Sequence, residues 1–301
     1  MVSKAVILAA GSASRMQKNL EKYVSNADEL SAVKKGEKMA ARFGNFPFLD
    51  YQILNLVHAG LKKVSLVLKP EDTFFTSHYD RHGTLLFPEI NITYSFQDVP
   101  DGTAHAVLAA GRFVEEDRFL VLNGDNNYSV ESIKMLLNAP ENCSSMVAFD
   151  TSGFSERVRE KLQTFAVVEI LDGKLSKIIE KSPDPEHHQT SDALYTVKNR
   201  RVRVVDRILT SMNLWCFTPE MIDLCRNVKR HEPRKPDKPG EFELTDAVDL
   251  LISKGGDVLV YYGCENILDL TNAGDIEIVG KSIRNTLTDK ILDLEKRYER
   301  L

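Results

Sequence analysis

A run of small residues near the start of the chain could bind phosphate. It follows an apolar segment and ends in an arginine, reading Leu8-Ala9-Ala10-Gly11-Ser12-Ala13-Ser14-Arg15. Small side chains let backbone N–H groups approach phosphate oxygens closely, and the guanidinium of Arg15 can donate several hydrogen bonds to a polyphosphate. The run is neither a P-loop nor a dinucleotide-binding glycine pattern. Taken alone, it is equally well explained as an ordinary tight turn.

The elements around this run predict an α/β fold. Helices are expected over residues 47–60 and 103–114, and buried strands over residues 4–10, 64–68, 92–96 and 119–122. Such alternation is typical of parallel strands joined by right-handed helical crossovers. We therefore predict a doubly wound, mostly parallel, Rossmann-like sheet with helices on both faces. Gly11 and Asp125 lie at the carboxyl ends of strands, where ligands bind in such folds.

The second half of the chain is predicted to add a smaller mixed β elaboration. Asp172-Gly173 separates two apolar runs, which indicates a tight hairpin. Further along we expect a strand over 202–217, helices over 219–227 and 243–254, and a charged terminal helix over 282–301. We see no strong linker and predict one domain over 1–301, with halves 1–150 and 151–280 and a C-terminal helix over 281–301.

Composition and charge exclude several classes of protein. The 301 residues include 39 Lys and Arg against 44 Asp and Glu, a formal net charge of −5, which disfavours a nucleic-acid binder. No apolar stretch approaches the ~20 residues of a membrane span, and no signal peptide is recognisable, so we expect a cytoplasmic location and no membrane partner. The four cysteines lack metal-site spacing and are interpreted as incidental thiols.

Several motifs together resemble the sugar-1-phosphate nucleotidyltransferases. That family cradles a nucleoside triphosphate in Leu-Ala-Ala-Gly-x-Gly-Ser/Thr-Arg-Met/Leu, which Gly11, Arg15 and Met16 match, whereas Ala13 stands where the family has a second glycine. The resemblance implies a catalytic role for Arg15. It assigns nucleotide binding to the loop residues Leu8, Ala9, Ala10, Gly11, Ser12, Ala13 and Ser14.

A second motif resembles the loop with which this family reads the base. It runs Gln97-Asp98-Val99-Pro100-Asp101-Gly102-Thr103-Ala104. The Gln97 amide offers both a donor and an acceptor to a pyrimidine edge, and Gly102 permits close approach. The resemblance thus assigns Gln97, Gly102 and Thr103 to the nucleotide and favours UTP or dTTP. A turn followed by Thr103 as a helix N-cap is compatible with the same residues.

The resemblance also implies charged groups around the phosphates. Lys38 matches the family's phosphate-contacting lysine and is assigned a catalytic role. Gly124 and Asp125 match its Gly-Asp metal motif, so Gly124 is assigned to the nucleotide and Asp125 to Mg²⁺, which prefers oxygen ligands. Asp269, in Leu268-Asp269-Leu270-Thr271, more loosely matches the second metal-binding aspartate. A turn or capping role is the alternative for Asp269.

Two further segments resemble the family's acceptor-binding motifs. In Glu180-Lys181-Ser182-Pro183, the resemblance implies that Glu180 accepts from sugar hydroxyls and that Lys181 orients the acceptor phosphate, with a catalytic role. Asn213 matches an asparagine that faces the sugar. A buried asparagine needs polar partners, which a ligand or the backbone could supply.

Taken together, these motifs imply a magnesium-dependent nucleotidyltransferase of the EC 2.7.7 class, with a nucleoside triphosphate and a sugar 1-phosphate as partners. Two alternatives stay open: transfer to a non-sugar phosphomonoester such as phosphocholine, and a catalytically silent regulatory subunit that binds a nucleotide-sugar. A glycosyltransferase fits less well, because Arg15 and Lys38 suit a triphosphate. The sequence leaves open a homo-oligomer and the role of residues 16–36, for which a mobile lid over the triphosphate is one hypothesis.

Overall fold

The computed structural model describes residues 2–11, 13, 15–24, 26–179, 193–197, 200–204, 208–231 and 240–299. The strands are β1 Lys4–Leu8, β2 Arg42–Phe43, β3 Phe46–Pro47, β4 Lys63–Leu68, β5 Asn91–Phe96, β6 Phe119–Asn123, β7 Asn126–Asn127, β8 Ser144–Asp150, β9 Ala166–Leu171, β10 Lys174–Ile179, β11 Ala193–Val197, β12 Arg200–Val204, β13 Leu209–Phe217, β14 Val258–Gly263 and β15 Leu268–Asp269. The α-helices are α1 Ala27–Lys34, α2 Phe48–Ala59, α3 Phe74–Leu86, α4 Thr103–Ala109, α5 Gly111–Val114, α6 Val130–Leu137, α7 Glu156–Arg159, α8 Met221–Asn227, α9 Leu244–Ser253, α10 Asp275–Thr286 and α11 Thr288–Tyr298.

One large sheet forms the centre of the described structure. Its strand order is β5-β4-β1-β6-β13-β8-β14-β10-β9. The neighbours β5, β4, β1 and β6 are parallel, as are β8 and β14. β13 is antiparallel to both β6 and β8, so these two groups of strands run in the same direction. Strands from both halves of the chain therefore share one sheet, while the single-domain assignment stays a prediction.

The sheet separates two apolar cores, as the doubly wound prediction requires. Along β1, Ala5 and Ile7 belong to one core and Val6 to the other, because successive side chains of a strand point to opposite faces. α2 packs into the first core and α4 into the second. The predicted α/β class with helices on both faces is confirmed.

The second half contains the predicted hairpin. β9 and β10 pair antiparallel, and Asp172 and Gly173 between them have φ angles of 50° and 77°. These positive values are what a tight primed turn requires. The predicted strand over 202–217 is wrong in detail, since β12 ends at Val204 and β13 begins at Leu209.

Two predicted helices are each divided into two. The expected helix over 103–114 is interrupted at Ala110, between α4 and α5. The expected terminal helix over 282–301 is α10 and α11, separated by Leu287 with φ −121° and ψ 27°. The second break lets α11 bind elsewhere on the fold: Arg297 donates to the carbonyl oxygen of Leu86 at 2.8 Å and pairs with Glu89 through both terminal nitrogens.

The segment over residues 16–36 folds onto the first core. It contains a short 3₁₀ turn at Leu20–Lys22 and then α1, which begins after Asn26, whose side chain accepts a hydrogen bond from the Glu29 backbone N–H. Met16, Leu20 and Val33 are fully buried. The lid hypothesis stays untested, but much of this segment is anchored by apolar packing.

The helices of the described residues give no indication of a membrane span. None of them is both long enough and apolar enough to cross a bilayer.

Candidate active site

The ends of β1 and β6 meet so closely that only glycine fits between them. The Gly124 N–H donates to the Leu8 carbonyl at 2.9 Å, and a Cβ on Gly124 would lie 2.9 Å from that same oxygen. Asp125, directly after Gly124, is thereby placed beside the small-residue loop that follows β1. The parallel pairing of the two strands, with Leu8 opposite Asn123, produces this arrangement.

Asp269 reaches the same place from the far end of the chain. β15 pairs antiparallel with β7, which sets Asp269 opposite Asn126, and the Leu270 N–H donates to the Asp125 carbonyl at 2.9 Å. The Asn126 side-chain amide donates to Asp269 Oδ1 at 3.2 Å. The two predicted metal ligands therefore lie on adjacent hydrogen-bonded segments.

Each of these aspartates faces a lysine. Lys38 forms an ion pair with Asp125, and Lys161 Nζ lies 2.5 Å from Asp269 Oδ2 and 2.7 Å from Asp275 Oδ2. Burial raises the pKa of Asp269, and the negative charge of Asp125 raises it further, while Lys161 opposes this. The two carboxylates thus repel each other inside a largely buried site, and positive charge is needed to keep both ionised.

Hydrogen bonds fix the orientation of the Asp269 carboxylate and of its neighbour. The Thr271 hydroxyl donates to Asp269 Oδ2 at 2.8 Å. Asp275 accepts from the backbone N–H groups of Thr271 and Asn272 at 3.0 and 2.7 Å, and from Arg157 Nε at 3.1 Å. Lys161 joins the two aspartates into one network.

A cavity of about 390 Å³, which we call the loop cavity, lies between the loop after β1 and the loop before α4. It contains most of the residues predicted to bind the nucleotide. Its lining includes Leu8, Ala9, Ala10, Gly11, Lys38, Gln97, Gly102, Thr103 and Asp125.

The backbone around Gly102 shows why glycine is needed there. Its φ of 110° disfavours other residues, and a Cβ would lie only 2.4 Å from the Phe242 carbonyl oxygen. Phe242 in turn exchanges hydrogen bonds with the backbone of Asp101 and Ala104. Gln97 is 5% exposed and donates to the Gly102 carbonyl at 3.1 Å, so its remaining amide groups are held at the cavity wall.

A second cavity of about 210 Å³, which we call the aspartate cavity, adjoins the first. Arg15, Asn213, Thr245, Asp269 and Thr271 line it. Thr103, Asn123 and Asp125 line both cavities. Asp125 therefore lies at the junction of the two cavities. Arg15 reaches the second of these, on the side where the aspartates converge.

Asn213 lies in an irregular part of β13. The pairing of β13 with β8 shifts between Ser211 and Trp215, and Asn213 has a left-handed φ of 57°, which asparagine tolerates better than most residues. Its amide donates to Asn123 Oδ1 at 3.4 Å, and its oxygen accepts from Trp215 Nε1 at 3.1 Å. The bulge turns this side chain towards the aspartate cavity.

The structure brings together many of the predicted site residues but not all of them. Ser12, Ser14, Glu180 and Lys181 lie outside the described residues. Ala13 is described and has a φ of 49°. A glycine, which the family has at this position, adopts this left-handed conformation freely, whereas a residue with a Cβ rarely does. The predicted roles of all these residues stay predictions.

Sequence reasoning missed several groups at the aspartate cavity. Lys161 lies in no recognised motif, and nothing in its surroundings signals its partners 108 and 114 positions away. Thr245 was interpreted as part of a helix start, which it is, but its buried hydroxyl has no hydrogen-bond partner among the described residues and lines the cavity. The polar run after β6, which includes Asn126, was a signal that could have been used.

The chain matches known proteins over most of its length. The sequence profile of a family described as nucleotidyl transferase matches residues 4–260. The UTP–glucose-1-phosphate uridylyltransferase AglF of Haloferax volcanii is 24% identical over 84% of this chain and 84% of its own. The low-salt glycan biosynthesis nucleotidyltransferase Agl11 of the same organism is 25% identical over 73% of this chain, which spans about half (52%) of that relative.

A solved structure shows the same fold. The crystal structure of a UDP-glucose pyrophosphorylase complexed with UDP-glucose superposes with a TM-score of 0.66, covering 95% of this chain and 99% of that one at 15% identity. At this identity the likeness concerns the fold alone.

Replacing Gly102 by alanine tests the close contact with Phe242. We expect Gly102→Ala to lower the free energy of unfolding and to weaken UTP binding, because both φ and the Phe242 backbone oppose a Cβ. Gly173→Ala is the matched control: its φ is also positive, but its Cβ would meet nothing within 4 Å. Gly173→Ala should lower the free energy of unfolding by about 1 kcal/mol and leave UTP affinity unchanged. Urea unfolding and calorimetric titration measure both; equal effects of the two variants would contradict the interpretation.

Replacing Ala13 by glycine tests the strain in the loop. A left-handed backbone conformation destabilises the folded state by about 1–2 kcal/mol for a residue with a Cβ. Glycine removes this strain but also gives the unfolded chain more conformational freedom. Ala13→Gly should therefore raise the free energy of unfolding by up to about 1 kcal/mol. Ala109→Gly, within α4, should instead lower it by about 1 kcal/mol. Urea unfolding measures both changes, and the same sign for the two would show that Ala13 is not strained.

Proposed function

The chain belongs to the nucleotidyl transferase family, and from this we propose that it transfers a nucleotidyl group from UTP or dTTP to a sugar 1-phosphate, releasing pyrophosphate. One observation carries the proposal: two adjoining cavities meet at Asp125. A transfer reaction between two bound substrates needs such a junction. The names of AglF and Agl11 agree with this reaction class.

The loop cavity suits the nucleoside triphosphate. Gln97, whose amide is anchored on the Gly102 carbonyl, has an acceptor oxygen and a second N–H left to pair with a pyrimidine edge. The backbone of residues 8–11 borders the cavity at the end of β1, where backbone N–H groups can approach phosphates. Lys38, in the same wall, supplies positive charge for the triphosphate and for the pyrophosphate that leaves.

The aspartate cavity suits the acceptor. Its walls combine amide and hydroxyl groups, including Asn213 and the partnerless hydroxyl of Thr245, which can bond to sugar hydroxyls. Arg15 enters the same cavity and can hold the phosphate of the acceptor or the phosphates of the nucleotide where the two substrates meet. We keep Glu180 and Lys181 as proposed acceptor contacts from the sequence.

The proposed step needs no side-chain nucleophile. An oxygen of the sugar phosphate attacks the α-phosphorus, a new P–O bond forms, and the bond to the oxygen bridging the α- and β-phosphorus atoms breaks in line. The bonding electrons leave on pyrophosphate, next to Lys38. Catalysis then rests on positioning the two substrates and on neutralising charge, which cationic side chains at the junction can do.

The donor set of the site fits a magnesium ion that is completed by substrate phosphates. Within the described residues no group of three or more His, Cys, Asp or Glu side chains could hold a metal unaided. Asp125 and Asp269 nonetheless repel each other across one cavity, and Mg²⁺ is commonly held by one or two carboxylates plus phosphates and water. Bound there, Mg²⁺ would neutralise the phosphates during transfer. We propose that Asp125 and Asp269 hold it.

An activity panel tests the proposed reaction. Pyrophosphate release should be observed with UTP or dTTP together with a hexose 1-phosphate, and should be far slower with ATP or GTP because of the base contacts of Gln97. Phosphocholine is included as the non-sugar acceptor. Release only with phosphocholine would overturn the sugar assignment, and nucleotide-sugar binding without release in any pairing would indicate a silent subunit.

Replacing the two aspartates tests their assigned role. Asp125→Asn and Asp269→Asn should each lower kcat by about 10²-fold or more and raise the Mg²⁺ concentration needed for half-maximal rate. EDTA should abolish turnover in the unchanged protein, and Mg²⁺ should restore it. Asp223→Asn is the control, because this exposed aspartate pairs only with Arg226 on α8 in the described structure. Full turnover in EDTA, or unchanged rates in both variants, would contradict the metal assignment.

A further inference from the structure

A third cavity lies between α1 and α3 and has no role in the proposed reaction. Its volume is about 370 Å³, within the roughly 300–1,000 Å³ typical of small-molecule sites. It shares no lining residue with the loop and aspartate cavities. We call it the helix cavity. One of its walls belongs to residues 16–36, the segment whose role the sequence leaves open.

Basic side chains from three elements converge on the helix cavity. On α3, Arg81 and His82 follow His78 by three and four positions, so each is a neighbour of His78 on the helix surface. Lys35 reaches the cavity from the end of α1, and Arg42 from β2. In the described structure, the side-chain ends of Lys35 and Arg81 form no hydrogen bond or ion pair, although the charge of Lys35 acts on the nearby Glu37 and lowers the pKa of that carboxyl.

The acidic groups of the cavity compensate for these charges only in part. Asp28 and Glu37 line it. Asp50 is fully buried, and its Oδ1 lies 3.0 Å from Nε2 of His78. Burial raises the pKa of Glu37 to about 7, and the negative charge of Asp72 contributes, so much of its charge is lost near neutral pH. Three permanent cations, Lys35, Arg42 and Arg81, therefore line the cavity together with only two carboxyl groups, Asp28 and Glu37.

The effect of the excess positive charge is visible at His82. Burial lowers the pKa of His82, and the positive charges of His78 and Arg81 lower it further. An anion in the cavity would offset this repulsion. Beside the basic groups, Phe74 stacks on His78 with ring centroids 6.3 Å apart and planes 15° apart, which presents a flat surface to the remainder of a ligand.

We propose that the helix cavity is a second ligand site, which binds a small phosphorylated metabolite through its phosphate dianion. The phosphate would contact Arg81, Lys35 and Arg42. The organic part of the ligand would pack against the stacked rings of Phe74 and His78. Arginine and lysine are the side chains best suited to a phosphate dianion. This site does not depend on the proposed transferase reaction.

Binding in the helix cavity would be communicated to the active site through one peptide bond. Glu37 lines the helix cavity, and the next residue, Lys38, pairs with Asp125 at the junction of the other two cavities. A ligand that shifts Glu37 must shift the backbone of Lys38. Because such coupling is reciprocal, a nucleotide bound near Lys38 alters the affinity of the helix cavity by the same factor.

Nuclear magnetic resonance of the histidine rings tests the site directly. The full chain, with ¹⁵N-labelled histidine rings, is titrated with inorganic phosphate and, separately, with glucose 6-phosphate, against sodium chloride at matched ionic strength. The ring signals of His78 and His82 should shift and saturate. His58, which pairs with Asp293 on another surface, is the internal control. Equal affinity for both probes would show recognition of the phosphate alone, and tighter binding of the ester would show contacts to its organic part.

Variants decide whether the shifts come from the helix cavity. Arg81→Ala and Lys35→Ala should each weaken probe binding by about tenfold or more, because a charge-assisted hydrogen bond is lost. Arg226→Ala, an exposed arginine on α8, should bind as the unchanged protein does. Absence of saturation, or full affinity in both cavity variants, would overturn the proposal. The titration requires no turnover, so its failure is separate from failure of the transferase assignment.

The same titration at saturating UTP tests the coupling, which rests on the proposed nucleotide site. Calorimetric titration first measures UTP binding; absence of that binding would contradict the proposed function. Once UTP is bound, we expect the affinity of the probe to change, and an unaltered affinity would overturn the coupling through Lys38.

Discussion

The mutual repulsion of two carboxylates is the constraint around which the active site is built. Asp125 and Asp269 line one small cavity, and Asp269 is 6% exposed. Asp125 is only partly buried, but a like charge this close to the buried Asp269 still requires compensation. Lys38 and Lys161 provide it, one for each aspartate. The fold must therefore bring two acidic and two basic residues from four separate segments to one place. The carboxylates there could bind a cation, and the lysines could bind phosphates.

The topology of the sheet accomplishes this convergence. β13 enters antiparallel between β6 and β8, which brings Asn213 from the second half of the chain beside Asn123 at the end of β6. The short ladder of β7 and β15 then holds Asp269 next to Asn126. At Gly124 and Gly102 the backbone approaches other backbone so closely that a side chain would not fit. Close backbone contacts thus set the position of the polar groups before any ligand binds.

Much of the fold could be predicted because local patterns agreed with it. β1 and β4 are mostly apolar and buried strands, α2 begins after Pro47 and is followed by Gly60 with φ 99°, and the Asp172-Gly173 turn has the required positive angles. The breaks at Ala110 and Leu287 could not be predicted in the same way. Ala110 is followed by Gly111, which weakens a helix but does not by itself end one. Leu287 has no such neighbour, and the break there allows Arg297 to reach Leu86 and Glu89, a contact that depends on the tertiary fold.

For the candidate site, the residues alone indicated only a loop that could bind phosphate, and the resemblance to a known family added the expected pyrimidine base and metal, because those motifs are short and local in sequence. The predicted elements placed Gly11 and Asp125 after the ends of strands and Gly102 directly before a helix, where the structure has them. The partnership of Lys161 with Asp269 and the helix cavity beside Lys38 emerged only from the folded chain. Charge compensation acts through space over a few ångströms and leaves no signal in sequence when its partners are 108 positions apart.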